Sequence, residues 1–519
     1  MKISILKFAL SFLAIGYNQA SAYEAQQSSS PKLRALYNSL DPYSLPQHLA
    51  FYELYPQSSE GQQAFRDAYR LLTGKENVTN PIFLPASLAS SINSIVGLIN
   101  KHPDTPSLEL SDAELEVINN ISSRLRNRNL AGYQAASEEF ILKLEPHQID
   151  LARAILLTQL GNEPDAIRKI KSYEATIDLM ALQILTKTSL DALPSQKIRA
   201  INRFIFEEMG FRFPPHSSFA KDVDLYTFLP SVLDSRRGVC LGVSILYICL
   251  AQRLDLNLQM ITPPGHIFVR WQEGDQVINI ETTARGIHLL DEKYLGVDTI
   301  LLQQRNVKEV VGLAHFNQAS VYWERSQHDK ALTSYAKALP YLPEDKLLIK
   351  LMGLNTLLKG DIDQGKELLQ QVVDYLPEDA VSRDTIAEDF LNGNVGVDGV
   401  KAIFMQVDEK RESILAKRDA IIKAIQKYPK CREAHFNLAG SWLQLHRTAE
   451  ALEALCQYHA LDATNATVEY YMAALYAERL DYNKAWIHFR IVEALTKQRN
   501  HNPEALSDLR KSLAKQCPE

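Results

Sequence analysis

Apolar positions in the first third of the chain recur at helical spacing. Leu33, Leu36, Tyr37 and Leu40 fall three to four residues apart, and Phe65, Tyr69, Leu71 and Leu72 crowd one face in the same way. Ser111 stands just before Asp112-Ala-Glu114, and a serine three residues ahead of a glutamate predicts a capping box that opens a helix. Asp150 to Leu160 reads as another helix with an apolar face. Residues 32–190 therefore predict a helical domain, and no chemical motif stands out in it.

The pattern changes near Pro194. Ser195 to Met209 is amphipathic at helical period, and Gly210-Phe-Arg-Phe-Pro-Pro ends it. Pro230 to Leu233 starts a short helical turn. From Cys240 a run that is apolar on most faces predicts a central, buried helix. After Asp255 the chain switches to strands: Leu258 to Ile261, then His266 to Trp271 behind a Pro263-Pro264-Gly265 turn, then Val277 to Thr282 behind a hairpin turn at Gly274-Asp275.

From about residue 312 a repeat sets in. Tyr322, Ala331, Tyr335, Ala338 and Pro343 sit at tetratricopeptide offsets, and Pro377 follows Pro343 by one tetratricopeptide period. Leu438, Ala439, Trp442, Ala451 and Leu455 mark a later unit. Ala485 follows Ala451 by the same period, with Ala473, Tyr476 and Phe489 in register. Small residues at the alanine positions let paired helices approach, and neighbouring aromatics fill the gap. The stretch of about 380–431 is degenerate, with Asn392 to Gly399 a loop and Lys417 to Pro429 a second helix. Glu504 to Gln516 reads as a capping helix.

The N-terminus does not join this pattern. Lys2 and Lys7, the short apolar run Phe8 to Ile15 and the Ala20-Ser21-Ala22 site predict a signal peptide over 1–22, and a Ser-rich polar leader follows over 23–31. The mature chain is expected to start near Tyr23 and to be exported, periplasmic or secreted. No later segment is long and apolar enough to span a membrane.

Composition narrows the partners. The chain of 519 residues is 46% apolar and 23% charged, with a net charge of −6, so no basic surplus points to nucleic acid. Five cysteines are present, with neither a C-x-x-C pair nor zinc spacing, so no metal and no cofactor is expected. Cys249 reads as core. Cys431 and Cys456 lie at the two ends of a helix pair, where a disulfide is geometrically open.

Chemistry gathers on Cys240, His266 and an acidic residue. A cysteine nucleophile needs a base, and the base needs an orienting group. Cys240 begins a helix, whose positive end favours a thiolate. His266 follows at the head of a strand, and Glu281 stands on the strand after that. Adjacent antiparallel strands would set His266 beside Glu281. Asn279 lies two residues earlier on the same strand face and is the alternative orienting residue. The backbone N–H of Cys240 is a natural oxyanion donor, with Tyr226 as a second candidate.

Arg-Arg-Gly-Val-Cys240-Leu-Gly-Val-Ser, Thr-Pro-Pro-Gly-His266-Ile-Phe-Val-Arg and Ile-Asn-Ile-Glu281-Thr-Thr resemble the transglutaminase-like superfamily, and within it the SirB-type branch, to which Glu208-Met-Gly-Phe211 also conforms. The resemblance covers about 195–300. With an export signal and repeats, the layout also resembles exported proteins of chlamydia-like bacteria. It departs from the family in carrying Glu281 where aspartate is usual.

The resemblance implies a papain-like core, in which a helix bearing the cysteine packs on an antiparallel sheet bearing the histidine and the acid. The expected fold class is α+β, mostly α: a helical domain over 32–190, a transglutaminase-like core over 191–305, and a tetratricopeptide solenoid over 306–519. The implied activity is thiol acyl chemistry on amide bonds, as a hydrolase or acyltransferase acting on a protein or peptide recruited by the repeats. A binding scaffold around a relic core and a cell-wall peptide hydrolase are the competing readings.

Overall fold

The computed structural model of the chain describes residues 31–74, 97–98, 103, 109–214, 226–408 and 410–518. The expected signal peptide and the leader up to Ser30 lie outside the described residues. The protein is α+β and mostly helical, with a small antiparallel sheet.

Helices α1 (Pro31–Asn38), α2 (Leu45–Leu54), α3 (Ser59–Thr73), α4 (Asp112–Ile121), α5 (Glu138–Lys143), α6 (Leu151–Leu160), α7 (Pro164–Leu185) and α8 (Pro194–Asn202) come first. Helices α9 (Leu229–Ser235) and α10 (Cys240–Arg253) follow, then strands β1 (Gln259–Thr262), β2 (Phe268–Glu273), β3 (Gln276–Ile280) and β4 (Gln303–Arg305). The remainder is helical: α11 (Val307–Glu324), α12 (His328–Ala338), α13 (Lys346–Lys359), α14 (Ile362–Gln370), α15 (Ile386–Leu391), α16 (Val397–Ile403), α17 (Arg411–Lys427), α18 (Arg432–Gln444), α19 (Thr448–Leu461), α20 (Ala466–Glu478), α21 (Tyr482–Gln498) and α22 (Glu504–Gln516).

Two compact units alternate along the chain. One comprises Met1–Tyr133, Leu160–Glu208 and Cys249–Leu256, the other Gln134–Gln159, Met209–Ile248 and Asn257–Glu519. In the first unit α4 opens on the capping box read from Ser111 and Glu114: Ser111 N–H donates to the Glu114 carboxylate at 2.8 Å, and Ser111 Oγ accepts from Glu114 N–H. This unit also buries charge. Asp178 on α7 takes Arg253 Nε at 2.6 Å on one oxygen and Arg128 Nη2 at 2.7 Å on the other, and the Arg253 side chain has no solvent exposure. The helix expected over Ser195 to Met209 is α only to Asn202 and continues as a π-helical turn over Arg203–Glu208. Phe204, Ile205 and Phe206 are consecutive and all buried, a demand that a wider turn meets.

The second unit holds the sheet, in the order β3-β2-β1-β4 with every pairing antiparallel. The hairpin at Gly274-Asp275 closes with Glu273 opposite Gln276. Strand β4 did not show in the sequence, because its three residues, Gln303 to Arg305, are polar and too short to alternate. The start of α10 is central, as expected: Leu241, Val243, Ile245, Leu246, Tyr247 and Ile248 are all at most 2% exposed. Burying such side chains contributes about 1.5–3 kcal/mol each.

Antiparallel helix pairs make up the rest: α11 with α12, α13 with α14, α18 with α19 and α20 with α21. Ala331, Ala451 and Ala485 are fully buried at their crossings, and Tyr335 and Phe489 fill the adjoining space. A Cβ on Gly365 would stand 2.4 Å from Leu357 Cδ2, so glycine there is what lets α14 close on α13. The degenerate stretch forms α15, α16 and α17, and α22 caps the array over Glu504–Gln516. The connection between β3 and β4 runs onto these helices. Val297 joins the cluster of Trp486, Phe489 and Leu506, Ile300 N–H donates to Glu378 O at 2.7 Å, and Asp298 accepts from Arg499 Nη1 at 2.8 Å.

The disulfide left open by the sequence is absent, and no disulfide joins any of the five cysteines. Cys431 is buried ahead of α18, where burial pushes its thiol up to about 12, and Cys456 Sγ lies 3.6 Å from the Tyr476 hydroxyl.

Candidate functional site

The loop before Cys240 is held by backbone on two sides. Gly238 N–H donates to Arg212 O at 3.2 Å, and Val239 N–H donates to Tyr226 O at 3.2 Å. Tyr226 is buried, and its carbonyl, rather than its side chain, is what the structure aims at the start of α10. Gly242 allows this approach, since a Cβ there would stand 2.3 Å from Tyr226 O and 2.9 Å from Val232 Cγ2. Backbone cannot yield as a flexible side chain does. Gly242→Ala is therefore expected to cost about 1–3 kcal/mol of stability, read as a fall in the urea midpoint at unchanged m-value.

Cys240 opens α10 and is partly exposed. One turn on, Ser244 Oγ meets Thr282 Oγ1 at 3.0 Å in a buried contact. That bond ties the helix bearing the cysteine to the residue after Glu281, and so sets the separation of thiol and acid.

His266 and Glu281 sit just outside the strands on which the sequence placed them. The Pro263-Pro264-Gly265 turn continues through His266, whose N–H donates to Pro263 O at 3.1 Å, so β2 begins only at Phe268. Strand β3 ends at Ile280. Glu281 N–H donates to Ile287 O at 3.0 Å, and its side chain caps a short 3-10 turn over Thr282–Ala284. The β2–β3 register, Val269 opposite Ile280, still brings the two side chains together.

The His266 Nε2 to Glu281 Oε2 distance is 2.7 Å. With Nε2 engaged, Nδ1 is the nitrogen left for Cys240. The imidazole is pushed up to about 9, first by its hydrogen bond with Cys240, then by that with Glu281, with burial working the other way. For Glu281, burial is the largest influence and would raise the carboxyl, but hydrogen bonds from His266, Tyr294 and Thr283 outweigh it and hold it below the ordinary range. Tyr294 donates to Glu281 Oε2 at 2.7 Å, and Thr283 donates to Oε1 through its hydroxyl at 2.8 Å and its N–H at 3.3 Å. The Tyr294 ring stacks on His266 at 6.0 Å and on Phe268 at 4.6 Å. Burial and the neighbouring Glu281 push its phenol up, so it remains a donor.

Asn279, the alternative orienting residue, is engaged elsewhere. Its Oδ1 accepts from Arg270 Nε at 2.8 Å, and its Nδ2 donates to Leu289 O and to Asp291 Oδ1, both at 2.7 Å. It holds the loop after β3, the loop from which Tyr294 arises. The structure thus brings Cys240, His266 and Glu281 together and leaves Asn279 outside. Sequence reasoning missed Tyr294 and Thr283. Thr283 left a trace as a hydroxyl two residues after the acid, whereas Tyr294, well beyond Glu281 in the following loop, left none.

A cysteine at the head of a helix, with histidine and acid beside an antiparallel sheet, resembles a transglutaminase-like core. The family model described as the transglutaminase-like superfamily matches residues 171–297. Among curated proteins, a UPF0162 protein of Pasteurella multocida is 27% identical over 211 residues, which is 38% of this chain and 78% of that protein. F-box only protein 21 of Mus musculus is 29% identical over 82 residues, 16% of this chain and 13% of its own length. Among solved structures, a tetratricopeptide protein of Thermus thermophilus aligns with 39% of this chain and 98% of its own, at 16% identity and a TM-score of 0.21. MamA of Desulfovibrio magneticus RS-1 aligns with 36% of this chain and 96% of its own, at 14% identity and a TM-score of 0.19.

Proposed function

We propose that Cys240, His266 and Glu281 form a thiol acyl-transfer site that acts on amide bonds. One observation carries this reading: His266 Nε2 lies 2.7 Å from Glu281 Oε2, and the neighbouring Cys240 thiol helps raise the same imidazole, so nucleophile, base and orienting group lie together. His266 takes the Cys240 proton, and Sγ forms a bond to the amide carbonyl carbon. The oxyanion that develops meets the Cys240 N–H at the head of α10. Collapse breaks the C–N bond, His266 gives its proton to the leaving amine, and a thioester remains. Water or a second amine then attacks the thioester and passes a proton to His266, and the Cys240 sulfur leaves.

Glu281 fixes the ring so that Nδ1 faces the thiol, and Tyr294 and Thr283 fix Glu281. The SirB-type resemblance, the recruitment of a protein or peptide by the stacked helix pairs, and export by the segment bearing Lys2, Lys7 and Ala20-Ser21-Ala22 are parts of the same reading.

Iodoacetamide labelling at neutral pH, followed peptide by peptide, tests the site. Cys240 is expected to alkylate at least about tenfold faster in the native chain than in His266→Ala. Equal rates in the two chains would sink the enzyme reading and leave a binding scaffold with a relic core.

A further inference from the structure

We propose that His459, Glu469 and His488 bind a divalent transition metal, with zinc as the expected ion, and that the metal pins three consecutive helices of the repeat array. These residues lie on α19, α20 and α21, on separate helices and within one compact unit. Their ligand atoms all fall within 4.8 Å of one another. His459 Nδ1 lies 2.5 Å from Glu469 Oε1, and His488 Nδ1 lies 2.7 Å from Glu469 Oε2. The Glu469 side chain has no solvent exposure, that of His488 is 10% exposed and that of His459 32%.

The ring geometry suits an ion. The two imidazole centroids are 5.4 Å apart with planes at 83°. Two imidazoles held tetrahedrally by zinc at about 2.0–2.1 Å place their centroids about 5.2 Å apart. The rings thus already have the spacing of a metal-bound pair. Side-chain rotation, with the Nδ1 protons released to solvent, would turn both Nδ1 atoms onto a shared point, with one Glu469 oxygen as third ligand and water as fourth. Tyr476 stacks on His488 at 5.4 Å and 10°, which fixes the plane of that ring.

The chemistry of the donors points the same way. The two imidazoles are the groups that meet the buried Glu469 carboxylate, one on each oxygen, which already gathers the three donors at one point. Two imidazoles and one carboxylate are ligands that zinc accepts readily, whereas calcium and magnesium ask for oxygen. The site lies outside the thiol core and does not depend on its activity. No zinc spacing showed in the sequence, because each donor stands on a helix of its own and the three share no local pattern.

Metal content tests the proposal. The full chain, stripped with chelator and then dialysed against micromolar zinc, is expected to retain one equivalent per chain and to melt at a higher temperature than the stripped form. Cobalt in place of zinc is expected to give the intense visible bands of a tetrahedral centre. His459→Gln changes a partly exposed residue and should leave the fold intact, with affinity lowered at least about 100-fold, more than the 10–100-fold typical of a lost outer-shell partner. His488→Ala is expected to do the same, while Cys240→Ser keeps the metal. If the native chain retains no zinc, or retains as much as His459→Gln and His488→Ala, the proposal fails.

Discussion

Asp178→Ala is expected to destabilise the first compact unit by about 3–5 kcal/mol, the usual cost of removing one partner from a buried ion pair. Asp178 is 4% exposed and receives Arg253 at 2.6 Å and Arg128 at 2.7 Å, with Ser122 Oγ at 3.3 Å. Removing the carboxylate leaves the Arg253 guanidinium, which has no exposure, without the anion at its Nε. Water cannot replace that anion in so closed a position. Hydrogen exchange of the α7 amides reads the effect directly. At about 3 kcal/mol, amides that open with the whole unit lose protection by roughly 150-fold. Asp178→Asn keeps one accepting oxygen but removes the charge and the second acceptor, and should fall between wild type and Asp178→Ala. A loss below tenfold in Asp178→Ala would mean that the two arginines find other compensation.

The second large effect is the dependence of stability on pH at the candidate site. The folded state raises His266 from 6.5 to about 9. A group raised on folding contributes stability that is fully present below its unfolded value and is lost as pH climbs through its folded value. The contribution is therefore complete below about 6.5 and gone above about 9. Its ceiling is about 3 kcal/mol, and screening of the partly exposed imidazole brings it lower. Glu281 supplies the opposite flank. Its carboxyl is held below the ordinary range, so its contribution is present above the unfolded value near 4.5 and falls away in more acid solution. The second unit should be most stable between these limits. Glu281→Gln removes the acid flank and the Glu281 share of the alkaline one while keeping the side-chain shape, so the difference in urea midpoint between the two chains should peak there and shrink on either side. A difference that stays constant from pH 5 to about 9.5 would show that His266 and Glu281 do not share a proton in the way the geometry implies.

Much of the site was legible in the sequence, for identifiable reasons. Cys240 was found because an apolar helix begins at that residue. His266 was found because Pro263-Pro264-Gly265 marks a turn before a strand. Period and turn chemistry are local properties, and both elements formed close to where they were expected, α10 at Cys240 and β2 two residues late at Phe268. The choice between Glu281 and Asn279 was not local. Both lie on one strand face, and alternation alone treats them alike. Only the packing of the following loop, which gives Asn279 to Arg270 and Asp291, leaves Glu281 facing the imidazole.

The sequence by itself determined the mostly helical character, the order of elements around Cys240 and His266, the period of the repeat and the capping helix Glu504–Gln516. These depend on interactions within a few turns or on a period that can be counted. Tertiary structure alone decided the partner of His266, the clasp of Tyr294 on Glu281, the buried Asp178 pair, strand β4 and the meeting of His459, Glu469 and His488. Each joins residues whose separation in the chain carries no periodic signal. They come together because burying apolar faces forces distant segments into contact, and the polar groups carried along must then find partners where they land.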